Sequence, residues 1–230
     1  MDSKIYNIIV AAGNGSRFGA ECPKQYCLLN GKPILMLTIE RMRHALPQSE
    51  IILVISAAHT TLWEELCQTH DFQSPKIVYG GKTRWESVKN AIDTISAPPY
   101  SNGIITVHDG ARPLIDEDLI HRVINGVKGH SGAIPAIAVT DSLRMLTDSG
   151  KSTSVDRSMF RAIQTPQAFD ADKFIEAYRL DYNDAFTDDA SVMTAAGYGD
   201  IILVEGSNAN IKITHPADIE TALFYLAQKG

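Results

Sequence analysis

The sequence predicts an α/β fold built on a Rossmann-like, doubly wound and mostly parallel sheet. Short β-branched apolar segments recur along the first part of the chain, and each is followed by a Gly/Ser/Asp-rich break and a segment with helical periodicity. Strands that alternate with helices in this way form right-handed βαβ units. A length of 230 residues with 44% hydrophobic residues suffices for one large core. Because no linker rich in Pro, Gly or Ser divides the chain, we expect a single domain over residues 1–230.

The alternation predicts five strands and four helices up to residue 139. The predicted strands are Ile5–Ala11, Ile51–Ser56, Lys76–Tyr79, Ile104–His108 and Ala133–Val139. The predicted helices between them are Ile34–His44, Leu62–His70, Trp85–Ile95 and Glu117–Lys128. Thr83 and Asp116 stand just before the last two helices, where their side-chain oxygens can accept from free backbone N–H groups, so we expect them as N-caps.

The alternation is interrupted after Val139 by the segment SLRMLTDSGKSTSVDR. Its two short strand-like runs around Asp-Ser-Gly predict an inserted β-hairpin, an arm at about residues 140–157. The arm has little core of its own, so we expect it to pack on a second subunit of a homodimer, or else on its own domain. The remaining predicted elements are helices near Ala171–Asp181 and Asp188–Ala196, strands Ile201–Glu205 and Ile211–Thr214, and a last helix from Pro216.

Composition excludes several classes of protein. The 21 Lys and Arg against 27 Asp and Glu give a net charge of −6, which argues against a nucleic-acid partner. The N-terminal apolar run from Ile8 to Ala12 is too short for a signal peptide or a membrane span. Cys22, Cys27 and Cys67 lack disulfide-framework or zinc-site spacing. We therefore expect a cytoplasmic chain that binds neither nucleic acid nor a membrane.

The loop after the first strand is the first candidate for a ligand site, because ligands bind at the carboxyl ends of strands in α/β sheets. Its sequence, AAGNGSRFGAECPKQY, has Phe18 where a dinucleotide fingerprint has its third glycine, and no Walker lysine follows. A glycine loop alone is compatible with a simple tight turn. Arg17 and Lys24, however, supply two cations beside backbone that a ligand can approach closely. This pattern favours a triphosphate over a dinucleotide pyrophosphate.

This loop and several later segments resemble those of a known family. AAGNGSRFG followed by PKQY resembles the signature of nucleotidyltransferases that activate sugar or polyol phosphates, and ECPKQY resembles the form in the 2-C-methyl-D-erythritol 4-phosphate cytidylyltransferases. Further segments follow in the family order: GGKTRWESV (80–88), VHDGARP (107–113), TDS (140–142), VDR (155–157), QTPQAF (164–169), TDDAS (187–191) and NIKIT (210–214). The resemblance implies a sheet of the nucleotide-diphospho-sugar transferase type, with CTP and methylerythritol phosphate as substrates.

The reaction implied by the resemblance is attack of the substrate phosphate on the α-phosphorus of CTP, with release of pyrophosphate. CTP brings about −4, the phosphate monoester about −2 and Mg²⁺, or another divalent cation, about +2, so roughly −4 remains to be balanced. The resemblance supplies four cations as catalytic residues. These are Arg17, Lys24, Arg157 and Lys212.

The resemblance also implies two sets of binding residues. The CTP set is Ala11, Ala12, Gly13, Asn14, Gly15, Gly80, Gly81, Ser87, Asp109 and Gly110. The polyol phosphate set is Arg112, Ser142, Arg157, Thr165, Thr187, Asp188 and Lys212. Asp109 is also the candidate for contact with Mg²⁺, directly or through water, and Gly110 is expected to leave room for the sugar. Ser142 departs from the threonine associated with that position, but it keeps a hydroxyl.

Three other functions are alternatives to this one. A ribitol 5-phosphate cytidylyltransferase shares the glycine loop, PKQ and a segment like NIKIT, but VDR and TDDAS are closer to the erythritol enzymes. A nucleotide-binding regulator without catalysis is disfavoured because the phosphate-binding cations are all retained. A nicotinamide-dependent oxidoreductase is disfavoured by Phe18 and by a second strand that ends at Ser56 rather than at an acidic residue.

Overall fold

The computed structural model describes residues 4–13, 23–95 and 103–228. The helices in these ranges are α1 (Ile34–Ala45), α2 (Thr60–Thr69), α3 (Arg84–Ile92), α4 (Glu117–Gly126), α5 (Ala171–Ala177), α6 (Asp189–Ala195) and α7 (Ala217–Ala227). The strands are β1 (Ile5–Ala11), β2 (Leu28–Leu29), β3 (Lys32–Pro33), β4 (Glu50–Ile55), β5 (Lys76–Tyr79), β6 (Ile104–Asp109), β7 (Gly132–Ala138), β8 (Arg144–Leu146), β9 (Ser152–Ser154), β10 (Arg161–Ile163), β11 (Gln167–Asp170) and β12 (Ile201–Glu205).

The main sheet has the strand order β10-β7-β11-β6-β1-β4-β5, and β12 also pairs with β7. The pairs β1–β4, β1–β6, β4–β5 and β7–β12 are parallel. The strands β10 and β11 run antiparallel to β7, and β11 also runs antiparallel to β6. The prediction of a mostly parallel α/β sheet is therefore confirmed, except that the two antiparallel strands β10 and β11 were not predicted.

Helices cover both faces of the sheet, as the doubly wound prediction requires. Adjacent residues of β1 belong to different cores: Ile8 packs with residues of α3, α5 and α6, whereas Ile9 packs with residues of α1, α2 and α4. Both side chains are fully buried, because successive side chains of a strand point to opposite faces. Strands buried on both faces explain the continuous apolar runs in the sequence.

Two predicted helix starts are confirmed in atomic detail. Thr83 and Glu86 form a capping box at α3, with Thr83 Oγ1 accepting from the Glu86 N–H at 3.0 Å. Asp116 caps α4 by accepting from the N–H of Leu119 at 2.9 Å. The cap at Thr83 matters for the site, since it fixes the loop that enters α3.

The predicted arm is a β-hairpin formed by β8 and β9. Arg144 pairs with Ser154, and Gly150 takes a φ of +75° in the turn. The side chains of Met145 and Leu146 are 59% and 77% exposed. Among the described residues, the arm therefore packs against no core of its own subunit.

Other elements differ from the predictions. The segment Ile211–Thr214 is not a strand: a single backbone hydrogen bond joins Ile213 to Ala111, and the Ile213 side chain packs in a small core beside α7. The helix predicted at Ala171–Asp181 ends at Ala177. β2, β3, β10 and β11 were not predicted, because segments of two to four residues are too short to show a period of two.

Two further points concern composition. Neither Cys27 nor Cys67 forms a disulfide bond within the described residues, and Cys22 lies outside them. Within the described ranges, no helix has both the length and the apolar character needed to span a membrane.

Candidate active site

A cleft of about 530 Å³ lies at the carboxyl ends of β1, β5 and β6. Loops that are far apart in the chain meet there, because parallel strands end at the same edge of the sheet. The cleft is lined by predicted site residues Ala11, Ala12, Gly13, Lys24, Gly80, Gly81, Ser87, Asp109 and Lys212. Three other predicted residues, Asn14, Gly15 and Arg17, lie outside the described residues.

Gln25 holds the loop at the end of β1. Its buried Nε2 donates to the carbonyl of Ala11 at 2.8 Å and to that of Gly13 at 3.1 Å. Lys24, the preceding residue, begins a short 3₁₀ turn and lines the cleft. The PKQY motif did not predict this role for Gln25. The available signal was an amide side chain close in sequence to a glycine-rich loop, because the backbone carbonyls of such a loop need hydrogen-bond donors when they are buried.

The loop between β5 and α3 closes against the end of β1. A Cβ at Gly80 would lie 2.3 Å from the Ala12 Cβ, so only glycine fits this approach. The Ser87 hydroxyl accepts from the Gly81 N–H at 3.1 Å and donates to the Thr83 carbonyl at 2.9 Å. Ser87 therefore shapes the loop from inside, in addition to lining the cleft.

Asp109 is the electrostatic centre of the cleft. Its Oδ2 lies 2.9 Å from Lys212 Nζ and 3.2 Å from Arg112 Nε, and the residue is almost fully buried. Burial alone would raise the pKa of this carboxyl, but Lys212, Arg84 and Arg112 outweigh it and hold the pKa well below its usual value. The carboxylate is thus ionised at any physiological pH.

Arg112 lies beneath the cleft and does not line it. Besides Asp109, its guanidinium donates through Nη1 to the Asn210 carbonyl at 2.8 Å. This pairing ties the end of β6 to the segment that carries Lys212. Within one subunit, Arg112 links two segments of the site. Its contact with the substrate phosphate stays a prediction.

At Gly110, packing inside the protein leaves no space for a side chain. A Cβ there would lie 2.9 Å from Leu35 Cδ1 and 3.0 Å from the Ala11 Cβ, and the residue does not line the cleft. The expectation that Gly110 leaves room for the sugar stays a prediction. The missing side chain lets the end of β6 pack against β1 and α1.

Thr165 is also turned inward. The residue is nearly buried, and its Oγ1 accepts from the Asp109 N–H at 3.0 Å and lies 3.0 Å from His108 Nδ1. Both bonds are internal to the protein, so the hydroxyl predicted to contact the polyol is committed to holding the end of β6. The sequence could not show this, because residues 108 and 165 meet only through the pairing of β6 with the strand that follows Thr165.

The predicted arm residues lie elsewhere in the subunit. Arg157 donates to the Thr140 carbonyl and, with Arg161, lines a second depression of about 400 Å³ that shares no lining residue with the cleft. Ser142 is exposed near the base of the arm. The prediction that Arg157 joins the other cations in one cleft is therefore not met within a single subunit.

The TDDAS segment stands at the start of α6. Asp188 caps this helix, accepting from the Ser191 N–H at 2.9 Å, and also accepts from Gln167 Nε2 at 2.8 Å. Thr187 is exposed, and neither it nor Asp188 lines the cleft. Asp188 thus has a structural role that accounts for its position.

Comparisons with known proteins identify this arrangement. The family described as IspD: 2-C-methyl-D-erythritol 4-phosphate cytidylyltransferase matches residues 5–228. The chain belongs to this family.

The curated relatives agree over nearly their whole length. The chain is 41% identical to the 2-C-methyl-D-erythritol 4-phosphate cytidylyltransferase of Bacteroides thetaiotaomicron, with 93% of this chain and 95% of the relative covered. It is 43% identical to the enzyme of that name from Azobacteroides pseudotrichonymphae, covering 94% and 96%. The crystal structure of 4-diphosphocytidyl-2C-methyl-D-erythritol synthase from Anaerococcus prevotii superposes with a TM-score of 0.80 at 27% identity, covering 98% and 100%.

Two cations of this cytidylyltransferase cleft were missed by sequence reasoning. Lys82 and Arg84 line the cleft beside Gly80 and Gly81. Both residues belong to the segment GGKTRWESV, so their position next to Gly80 and Gly81 could have indicated that they line the site. What the sequence could not show is the partner of Arg84, which lies 105 positions away.

That partner is Asp189, at the start of α6. Arg84 Nη2 lies 2.5 Å from its fully buried carboxylate, and the Tyr178 hydroxyl donates to the other oxygen at 2.6 Å. Burial would lower the pKa of Arg84, but the attraction of Asp189 outweighs it and raises the pKa further. The ion pair joins the start of α3 to the TDDAS segment at the start of α6.

The donor set of the cleft suits a hard divalent cation held mainly by phosphate oxygens and water. Among the described residues, Asp109 is the single carboxylate that lines the cleft, and no group of three or more His, Cys, Asp or Glu side chains could hold a metal ion. Mg²⁺ on a nucleotide commonly keeps several waters and uses one or two carboxylates. Asp109 therefore fits the cation predicted for the family, directly or through a water molecule.

Proposed function

We propose that this chain transfers the cytidylyl group of CTP to the phosphate of 2-C-methyl-D-erythritol 4-phosphate and releases pyrophosphate. The observation that carries the proposal is the meeting of Lys24, the Gly80–Ser87 loop and the Asp109–Lys212 ion pair in one cleft of a chain from this family. Ribitol 5-phosphate is not favoured as acceptor, since the matching family and the relatives are named for the methylerythritol substrate.

Nucleophilic attack needs no general base in this mechanism. A phosphate monoester is already ionised near neutral pH, so its oxygen can attack the α-phosphorus directly. Catalysis then reduces to in-line positioning and to stabilisation of the charge that develops on the phosphoryl oxygens. Lys24, which lines the cleft, and Arg17 of the same loop are proposed to bind the triphosphate.

Lys212 is proposed to hold the phosphate of the incoming polyol substrate. Its side chain is about two-fifths exposed, and its ammonium contacts Asp109. Asp109 keeps this ammonium at the cleft and would also face Mg²⁺ or its water shell when the cation is bound. Mg²⁺ would supply positive charge to the α-phosphoryl group and the leaving pyrophosphate.

A homodimer would bring the arm residues to the reaction. Arg157 and Ser142 stand apart from the cleft of their own subunit, while Met145, Leu146 and Met159 are 59%, 77% and 82% exposed. An arm of this kind buries its apolar side chains when it lies on another subunit. We propose that Arg157 and Ser142 reach the partner's cleft, where Arg157 can contact phosphate oxygens bidentately.

One assay tests the activity directly. Purified protein with CTP, Mg²⁺ and methylerythritol 4-phosphate should release pyrophosphate and form the cytidylyl diphosphate ester. Ribitol 5-phosphate in place of the erythritol substrate should give a much slower reaction. Turnover of ribitol 5-phosphate alone would overturn the substrate assignment, and CTP binding without any turnover would favour a nucleotide-binding regulator. The cytoplasmic location and the lack of nucleic-acid and membrane partners stay predictions.

A further inference from the structure

His108 is a fully buried histidine that the mechanism above does not use. It precedes Asp109 on β6, and its two ring nitrogens reach two different segments of the chain. Nδ1 lies 3.0 Å from Thr165 Oγ1, and Nε2 lies 3.3 Å from the Arg112 carbonyl oxygen. A buried ring with both nitrogens engaged is fixed in orientation.

The surrounding groups determine which nitrogen carries the proton. The Arg112 carbonyl oxygen can only accept, so the ring proton lies on Nε2 and is donated to that oxygen. In the neutral ring Nδ1 is then an acceptor, so the Thr165 hydroxyl, which accepts from the Asp109 N–H at 3.0 Å, donates its own proton to Nδ1. Each donor in this short chain has one acceptor, and the ring is neutral.

The same network reaches the segment that carries Lys212. Asn210 Nδ2 donates to the Thr165 carbonyl at 2.9 Å, and the Asn210 carbonyl accepts from Arg112 Nη1 at 2.8 Å. Arg112 in turn contacts Asp109, which contacts Lys212. His108 therefore lies where the end of β6, the Thr165 segment and the Asn210 segment are joined.

We propose that His108 is a positioning residue for cytidylyl transfer. Through the Thr165 hydroxyl and the Arg112 carbonyl it fixes the backbone around Asp109, and so sets the Lys212 ammonium, held by Asp109, where the polyol phosphate is proposed to bind. This inference rests on the proposed function. It assigns His108 no contact with substrate, since the ring is sealed from the cleft.

A substitution series separates positioning from simple filling of the core. His108→Leu fills the buried space with an apolar side chain but loses both hydrogen bonds. His108→Asn keeps a hydrogen-bond acceptor close to the position of Nδ1. Because small displacements of positioned groups strongly slow a reaction, we expect His108→Leu to lower kcat about tenfold or more and to raise KM for the polyol phosphate about fivefold. KM for CTP should stay within about twofold, and His108→Asn should recover part of both losses.

Two controls accompany the series. His121 also places Nε2 against a backbone carbonyl, that of Ala45 at 3.0 Å, but it belongs to α4 and does not line the cleft. His121→Leu should therefore leave both KM values and kcat unchanged. Calorimetric titration with CTP counts the intact sites, so that a loss of folded protein is not mistaken for a slower reaction.

Each outcome decides the proposal. A folded His108→Leu variant with kcat and both KM values within twofold of the parent overturns it, and so does an equal rise of KM for both substrates. If His108→Leu does not fold, Thr165→Val and Thr165→Ser take its place. Valine should reproduce the selective loss and serine should restore activity, whereas equal activity of these two variants overturns the proposal. An inactive parent that still binds CTP would refute the proposed function instead.

Discussion

The cleft and the arm are held in place in different ways. At the cleft, Asp109 and Gln25 are buried, and each has side-chain partners in other segments of the same subunit. In the arm, the Arg144 side chain bonds, among the described residues, only within the hairpin, and the apolar side chains are exposed. The comparison teaches that contacts within one subunit hold the described cleft residues, whereas the exposed arm is held by its own hairpin and, as proposed, by a second subunit.

The largest expected effect is on the cleft side, at Lys24. Lys24→Ala removes a cation that stabilises the triphosphate in the transition state, so kcat should fall about a hundredfold or more. Steady-state pyrophosphate release measures it, with Lys128→Ala as the control, because Lys128 is exposed beyond the end of α4. A decrease of less than about fivefold would show that the loop has another role.

The arm is tested by mixing two inactive variants. Arg157→Ala alone should lower kcat by tens of fold, since it removes a proposed bidentate phosphate contact. If each arm completes the partner's cleft, subunits with Lys24→Ala and subunits with Arg157→Ala, mixed after dissociation, should regain activity at about a quarter of the sites. No recovery in mixed dimers, with Arg157→Ala inactive, would place Arg157 at the cleft of its own subunit and remove the difference between the two regions.

The stability of the two regions should also differ. Arg84→Met leaves the Asp189 carboxylate buried beside Tyr178 alone, and we expect a loss of about 2 kcal/mol in the free energy of unfolding. This is less than for a fully buried pair, since the Arg84 side chain is 31% exposed. The matched arm variant Arg144→Met should lose less than about 0.5 kcal/mol. Urea denaturation compares the two, and equal losses would contradict the comparison.

The smallest effect concerns pH. Burial and the charge of Arg112 outweigh the attraction of Asp109 and lower the pKa of His108 to about 4. The unfolded chain binds a proton near pH 6.5 and the folded one resists it, so stability present above pH 6.5 decreases as the pH falls toward 4. From pH 7 to 5.5 this residue should cost about 1 kcal/mol of unfolding free energy.

Urea denaturation at the two pH values isolates the contribution of His108. The parent should lose more stability on acidification than His108→Asn, which has no group that titrates in this range. The difference between the two proteins is the result that counts, because other groups titrate in both. Identical pH slopes would show that His108 titrates normally in the folded chain.

Much of the fold could be predicted because it depends on local chemistry. The apolar runs of β1, β4 and β6 indicate strands buried on both faces, and the positions of Thr83 and Asp116 alone predict them as caps. The hairpin arm was likewise legible in its Asp-Ser-Gly turn. Short or singly bonded segments were not, as β11 and the misassigned Ile211–Thr214 show, since their conformation depends on neighbours from distant parts of the chain.

The sequence by itself determined the α/β class, the loops that carry the chemistry and the resemblance to a family, because motifs and periodicities lie along the chain. Only the tertiary structure decided which residues share the cleft. It turned Thr165 and Gly110 inward, paired Arg84 with Asp189 and left Arg157 outside the cleft of its own subunit. The physical reason is that burial, ion pairing and hydrogen bonding act between segments that only the folded sheet brings together.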